Sequence, residues 1–137
     1  MKNRQSAFTL LEIMLVVAII GVLLSAAIYK MAPSLDVAKN MKTKGDIQSI
    51  KTCLLSYNGM NGFYPTTEQG LSALVSRPGS EPAPTSWRPL MESLPKDAYG
   101  MPYLYRYPGR KNPASYDVFS GGQDRIPDTG DDEYGNN

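Results

Sequence analysis

From Phe8 to Ile28 the chain reads FTLLEIMLVVAIIGVLLSAAI, 21 residues interrupted only by Thr9, Glu12, Gly21 and Ser25. As an α-helix this segment spans roughly 32 Å, the thickness of a bilayer core. The apolar region of a cleaved secretory signal is usually about 7–15 residues long and leads to an A-x-A-like site. No such site follows here, so the segment reads as a retained membrane anchor. Residues 34–57 then place Leu35, Ala38, Met41, Gly45, Ile47, Ile50, Leu54 and Tyr57 at approximately helical spacing, with Lys39, Lys42, Lys44 and Lys51 mostly elsewhere. The pattern predicts one long helix from about Phe8 to Tyr57, stopped by Asn58-Gly59, whose second half packs on a small head.

Downstream, Thr66 and Gln69 have the spacing of a reciprocal helix cap, which predicts a short helix through about Ser76. Pro78, Pro82, Pro84, Pro89 and Pro95 exclude a helix or central strand between residues 77 and 95, leaving a surface loop. Met101–Tyr107 and Tyr116–Ser120 flank a turn-like Pro108-Gly109-Arg110-Lys111-Asn112-Pro113 and predict an antiparallel pair. The fold class is therefore α+β.

Composition narrows the chemistry. The chain has no histidine, which removes Ser-His-Asp and Cys-His catalysis, and a single cysteine, Cys53, which removes an intrachain disulfide and a cysteine-cluster metal site. Cys53 lies near the packed face and reads as a small buried hydrophobe. A formal charge of +1 offers no concentrated basic surface for nucleic acid. Tyr103, Tyr105 and Tyr107 alternate onto one face, but a base-stacking platform needs basic neighbours and only Arg106, Arg110 and Lys111 are near. Charge placement says more than the sum: Lys2 and Arg4 precede the apolar segment and no acid does, so residues 1–7 should face the cytoplasm and everything after Ile28 the far side, with Lys30 in weak opposition.

Glu12 is the anomaly in the anchor, since a charged group at such a position costs on the order of 3 kcal/mol and is kept mainly where something pairs with it. Residues 8–28 contain no Lys or Arg. One partner is the α-amino group made by cutting the chain before Phe8; the alternative is that Glu12, about one turn from the segment start, snorkels to the headgroups or protonates there.

A short basic leader followed by Phe8-Thr9-Leu10-Leu11-Glu12 and a long apolar helix resembles the class III signal of type IV pilins and pseudopilins. The resemblance implies that a prepilin peptidase cuts between Ala7 and Phe8 and methylates the new amine, and that Thr9 and Glu12 serve assembly. Ala7 departs from the glycine usual before the cut, and Tyr29 stands where major pseudopilins commonly carry proline. Phe63-Tyr64-Pro65-Thr66-Thr67-Glu68-Gln69-Gly70-Leu71, with Ala73-Leu74-Val75 behind it, is similar to the major pseudopilins of type II secretion systems.

Residues 117–137 hold Asp117, Asp124, Asp128, Asp131, Asp132 and Glu133 against one base, Arg125, so the segment needs a counter-charge or solvent. A frayed acidic tail and a loop ordered by Ca²⁺ both answer that need, and the spacing is not that of an EF-hand. Asp117-Val118-Phe119-Ser120, Gly122-x-Asp124 and Asp131-Asp132 resemble the calcium loop of major pseudopilins. That resemblance implies carboxylates from Asp124, Asp131 and Asp132 and main-chain carbonyls from Gly121 and Thr129, with Ser120 adding its hydroxyl or supporting the turn. Glu133-Tyr134-Gly135-Asn136-Asn137 departs from the family's shorter Gly-Asn-Trp ending.

The resemblance thus implies a type IV pilin-like fold in three parts: a leader at 1–7, a transmembrane and filament-core helix at 8–28, and a periplasmic head at 29–137 that includes the second half of the helix and a C-terminal calcium loop. The function it implies is structural, not enzymatic. The chain would polymerise into the pseudopilus of a type II secretion system, with minor pseudopilins and an inner-membrane assembly platform as partners, and so help drive folded proteins across the outer membrane. A type IV pilin or minor pseudopilin shares the N-terminal signal, and a membrane-tethered calcium-dependent binding module is the alternative from another class.

Overall fold

The computed structural model describes residues 9–135, without the side chains of 32–34. Helix α1 spans Leu10–Asn61 and is divided between two compact units, the first ending at Ala38 and the second beginning at Lys39. Every described side chain of the first unit is exposed, including Leu11 at 79% and Leu24 at 58%. Among the described residues this is the one helix long and apolar enough to cross a membrane. Ser25 satisfies its hydroxyl inside the helix, donating to Val22 O at 2.8 Å, so it brings no unpaired donor into an apolar environment.

In the second unit, α1 buries Thr43, Ile47, Ile50, Leu54 and Tyr57. These positions correct the expected face. A period of 3.6 carried back from Ile47 meets Thr43, whereas Met41 and Gly45 turn outward. The helix also runs past Asn58-Gly59. It ends where Gly62 adopts φ +82° and donates to Asn58 O at 2.7 Å. Asn61 ties this end to the loop, its Oδ1 accepting from Ser86 N at 3.0 Å.

The cap at Thr66 forms as predicted. Thr66 N donates to Gln69 Oε1 and Gln69 N to Thr66 Oγ1, both at 3.2 Å. No α-helix follows, because Gly70 turns to φ 57°, and Leu71–Leu74 make a single 3₁₀ turn. Leu71, Ala73 and Leu74 from this turn meet the buried face of α1. The proline-rich stretch is a loop with definite anchors: the Gln69 amide donates to Ser80 O at 2.9 Å, Trp87 Nε1 to Ala73 O at 2.8 Å, and Leu90 N to Leu74 O at 2.8 Å. Cys53 packs half-buried beside Leu90, with Sγ 3.6 Å from its carbonyl, and burial pushes the thiol pKa up.

Strands β1 (Leu104–Arg106) and β2 (Asp117–Phe119) pair antiparallel, Tyr105 opposite Val118. They are shorter than the two runs predicted for them. Tyr103 lies buried against α1, donating to Asp46 Oδ2 at 2.9 Å, and the Tyr105 hydroxyl donates to Pro65 O at 2.8 Å. Two of the three alternating tyrosines are thus spent on packing, which removes the stacking platform.

Tyr57 is fully buried, yet its hydroxyl has no partner among the described residues. Deleting an unsatisfied buried hydroxyl removes a desolvation cost of about 1–3 kcal/mol. Tyr57→Phe should therefore raise the melting temperature of the full chain in detergent by a few degrees; a lower one would show that the hydroxyl is satisfied in the folded chain.

Candidate functional site

Two regions hold the residues singled out by the sequence, one in each unit. In the first, Thr9 caps α1. Glu12 N lies 3.0 Å from Thr9 O and 3.3 Å from Thr9 Oγ1, and Ile13 N donates to Thr9 O at 3.3 Å. Thr9-x-x-Glu12 has the spacing of a capping box, a local signal beside the charge argument that singled out Glu12. Glu12 is an acid in the first helical turn, where the helix dipole favours it, and its side chain makes no ion pair among the described residues. Ala7 and Phe8, where processing is expected, lie outside the described residues.

The second region is the acidic segment, which is an ordered loop and not a frayed tail. Its base is closed by reciprocal main-chain bonds: Ser120 N donates to Glu133 O at 2.9 Å and Glu133 N to Ser120 O at 3.1 Å. Beyond the base, Tyr134 stacks on buried Phe119 at 4.8 Å between ring centroids, and Lys111 Nζ sits 3.5 Å from the centre of the Tyr134 ring. The Ser120 hydroxyl donates to the buried Asp97 carboxylate at 2.6 Å, so it supports the turn.

Inside the loop each acid has a distinct set of contacts. Asp124 Oδ1 accepts from Ile126 N at 2.8 Å, the bond of an Asx turn. Asp131 Oδ2 accepts from Gln123 N at 2.8 Å and Asp124 N at 3.1 Å, and its Oδ1 accepts from the Thr129 hydroxyl at 2.7 Å. The Thr129 bond comes first among the causes that hold the Asp131 carboxyl below the usual carboxylate range. Gly122 makes this wrap possible: at φ +64°, an added Cβ would fall 2.4 Å from Asp131 Oδ2 and 2.5 Å from Asp131 O. Asp132 Oδ2 accepts from Asp128 N at 2.8 Å, while Asp132 Oδ1 is buried and has no partner among the described residues.

Such an orphaned carboxylate oxygen, on a loop whose donors are all oxygens, suits a hard cation. In this conformation no three acid side chains among the described residues gather closely enough to hold one ion, so main-chain carbonyls such as those of Gly121 and Thr129 would carry much of any coordination.

Sequence reasoning passed over the counter-charges. Arg106 from β1 grips Asp128 with its two terminal guanidinium nitrogens, at 3.1 and 3.2 Å, and Arg110 adds a contact at 2.8 Å. The Arg106 hydrogen bond is the first cause that lowers the Asp128 pKa. These arginines come from outside the acidic segment, 22 and 18 residues before Asp128, so counting charges within the segment could not find them. The usable signal was two bases beside a predicted turn that lies next to an acid-rich segment.

Comparison with known proteins covers both regions. Residues 2–28 match the prokaryotic N-terminal methylation motif, and residues 30–135 match the family described as type II secretion system protein G. Type II secretion system core protein G of Pseudomonas aeruginosa is 42% identical over 90% of this chain and 87% of its own. The protein of that name in Dickeya chrysanthemi is 42% identical over 99% of this chain and 88% of its own. Among solved structures, the major pseudopilin of the type 2 secretion system of enterohaemorrhagic Escherichia coli superposes with a TM-score of 0.69 at 38% identity, covering 75% of this chain and 86% of that one. The long N-terminal helix, the small antiparallel pair and matches that extend from the methylation motif through the acidic loop agree, and the chain belongs to the type II secretion system protein G family, the major pseudopilins.

Proposed function

We propose that this structural subunit is cut between Ala7 and Phe8, methylated at the new amine, and polymerised with copies of itself into a periplasmic pseudopilus. The observation that carries the reading is the first turn of α1: a Thr9-capped start places Glu12 in an otherwise apolar segment with no Lys or Arg between residues 8 and 28. An uncompensated carboxylate there is costly, and the α-amino group of an incoming copy neutralises it. Before assembly the chain sits in the inner membrane with residues 1–7 cytoplasmic and the head periplasmic, as the flanking charges direct. Minor pseudopilins and an inner-membrane platform complete the partner set, and no catalytic step is assigned to the chain. Intact-mass spectrometry of protein purified from host membranes tests this. A chain beginning at methylated Phe8 is expected; one retaining Met1 would overturn the processing reading and favour a tethered binding module.

Calcium is proposed as the ion of the acidic loop: Asp132 Oδ1 and the carbonyls of Gly121 and Thr129 would meet it first, and Asp124 and Asp131, whose carboxylates face main-chain and hydroxyl donors in this conformation, would close on it as the loop rearranges. When bound it neutralises the loop's acids. The orphaned Asp132 Oδ1 supports this. Binding at a hundredfold excess over Kd stabilises a fold by about 2.7 kcal/mol. The full chain in detergent should melt several degrees higher in calcium than in chelator, and Asp124→Ala should abolish most of that difference. The assignment of Asp124 fails if the variant keeps the wild-type gap.

A further inference from the structure

We propose that Arg106 is a positioning residue for the calcium loop, holding Asp132 in place through Asp128, and that Asp128 is not itself a ligand. This inference rests on the calcium reading above. Three contacts form the relay. The Arg106 guanidinium binds both oxygens of Asp128, the Asp128 main-chain N–H donates to Asp132 Oδ2, and Asp132 is left with one buried oxygen that has no partner.

Arg106 and Asp128 are each held by further contacts. Arg106 is paired with Asp117 in the sheet register, and its guanidinium lies 5.6 Å from the ring centre of buried Phe119. Asp128 adopts φ +67°, a left-handed conformation that aspartate tolerates better than most residues, and that turn aims its N–H at Asp132. Arg110, far more exposed, adds a second cation to the same carboxylate.

The charge arrangement separates Asp128 from the ligand set. Two guanidinium groups neutralise its carboxylate, and a divalent cation drawing on the same oxygens would have to displace them or bind beside two positive charges. Asp124, Asp131 and Asp132 have no such cation in contact among the described residues. Residues that orient a metal's carboxylates from behind typically change affinity by about 10–100-fold when lost.

The test is calorimetric titration of CaCl₂ into chelator-treated full chain in detergent, for wild type, Arg106→Gln, Asp128→Asn and the double variant. Circular dichroism in chelator checks that each variant is folded. Arg106→Gln should weaken calcium binding by about tenfold or more. Asp128→Asn should act in the same direction, and the double variant should bind no worse than the weaker single one, since both changes break one relay. Arg106→Lys, which cannot form the paired contact, should recover only part of the loss. Unchanged affinity in Arg106→Gln, or losses that add in the double variant, would overturn the relay while leaving the calcium reading standing. Wild type with no calcium heat would overturn both.

Discussion

Glu12→Ala should leave membrane insertion intact and abolish filament assembly. The substitution deletes one carboxylate from a turn whose geometry does not depend on it: the contacts to Thr9 O and Oγ1 come from the Glu12 main-chain N–H, which alanine retains, and alanine is the stronger helix former. The apolar run is otherwise unchanged, so partition into the bilayer should if anything improve. What disappears is the group that a neighbouring α-amino charge would seek in a low-dielectric setting. An unpaired charge there costs on the order of 3 kcal/mol, roughly two decades in an equilibrium constant. Membrane fractionation reads the first half of the expectation, and electron microscopy of sheared filaments the second. Filaments at normal yield from Glu12→Ala would sink the pairing argument and leave the snorkelling carboxylate as its explanation.

Asp117→Ala should be among the most destabilising substitutions in the head, at about 3–5 kcal/mol, from the loss of several hydrogen bonds to one charged acceptor. The Asp117 side chain is buried and accepts from Arg110 N at 2.6 Å, Lys111 N at 2.8 Å, Asn112 N at 3.1 Å and the Asn112 amide at 3.3 Å. Truncation would leave three main-chain donors without their acceptor, and no reshaping of a methyl group can replace it. The turn closes tightly enough on the carboxylate that a Cβ on Gly109 would sit 2.7 Å from Asp117 Oδ1, which explains the glycine there. For a domain stable by about 5–15 kcal/mol, a loss of this size lowers the melting temperature by well over ten degrees. Thermal melts of the full chain in detergent check it. Asp117→Asn, which keeps one acceptor oxygen, should fall between wild type and Asp117→Ala; equal losses from the two would mean that the charge matters and the acceptor count does not.

The same turn shows where a sequence speaks and where it falls silent. Gly109 and the two flanking prolines announce a turn because local backbone preferences are written residue by residue. That the turn is built around a carboxylate from β2 is a long-range fact, and Asp117 looked like one more acid in an acid-rich tail. The cap at Thr66 and Gln69 was legible for the local reason, since its two partners are three residues apart. Its continuation into a helix was misread because Gly70 takes a left-handed φ. On α1, Ile47, Ile50, Leu54 and Tyr57 gave the buried face, whereas Met41 and Gly45 turn outward because that face, carried back at 3.6 residues per turn, falls on Thr43, a polar residue that hydropathy does not mark. In the acidic loop, the excess of negative charge was plain. Its neutralisation by Arg106 and Arg110 was not, because hairpin pairing brings those residues to the loop.

The closure of that loop has an evolutionary consequence. Because Ser120 and Glu133 lock its two ends by main-chain bonds, with the Tyr134 ring seated on Phe119 just outside, the stem is specified independently of what lies between. Lengthening a loop whose ends are already tethered costs little, about 0.6 kcal/mol for a full doubling. The exposed tip around Ile126, which lies between the residues that make the loop's inner contacts, can therefore vary without renegotiating how the stem is fastened to the head. Lineages would then diverge at this tip sooner than at its stem.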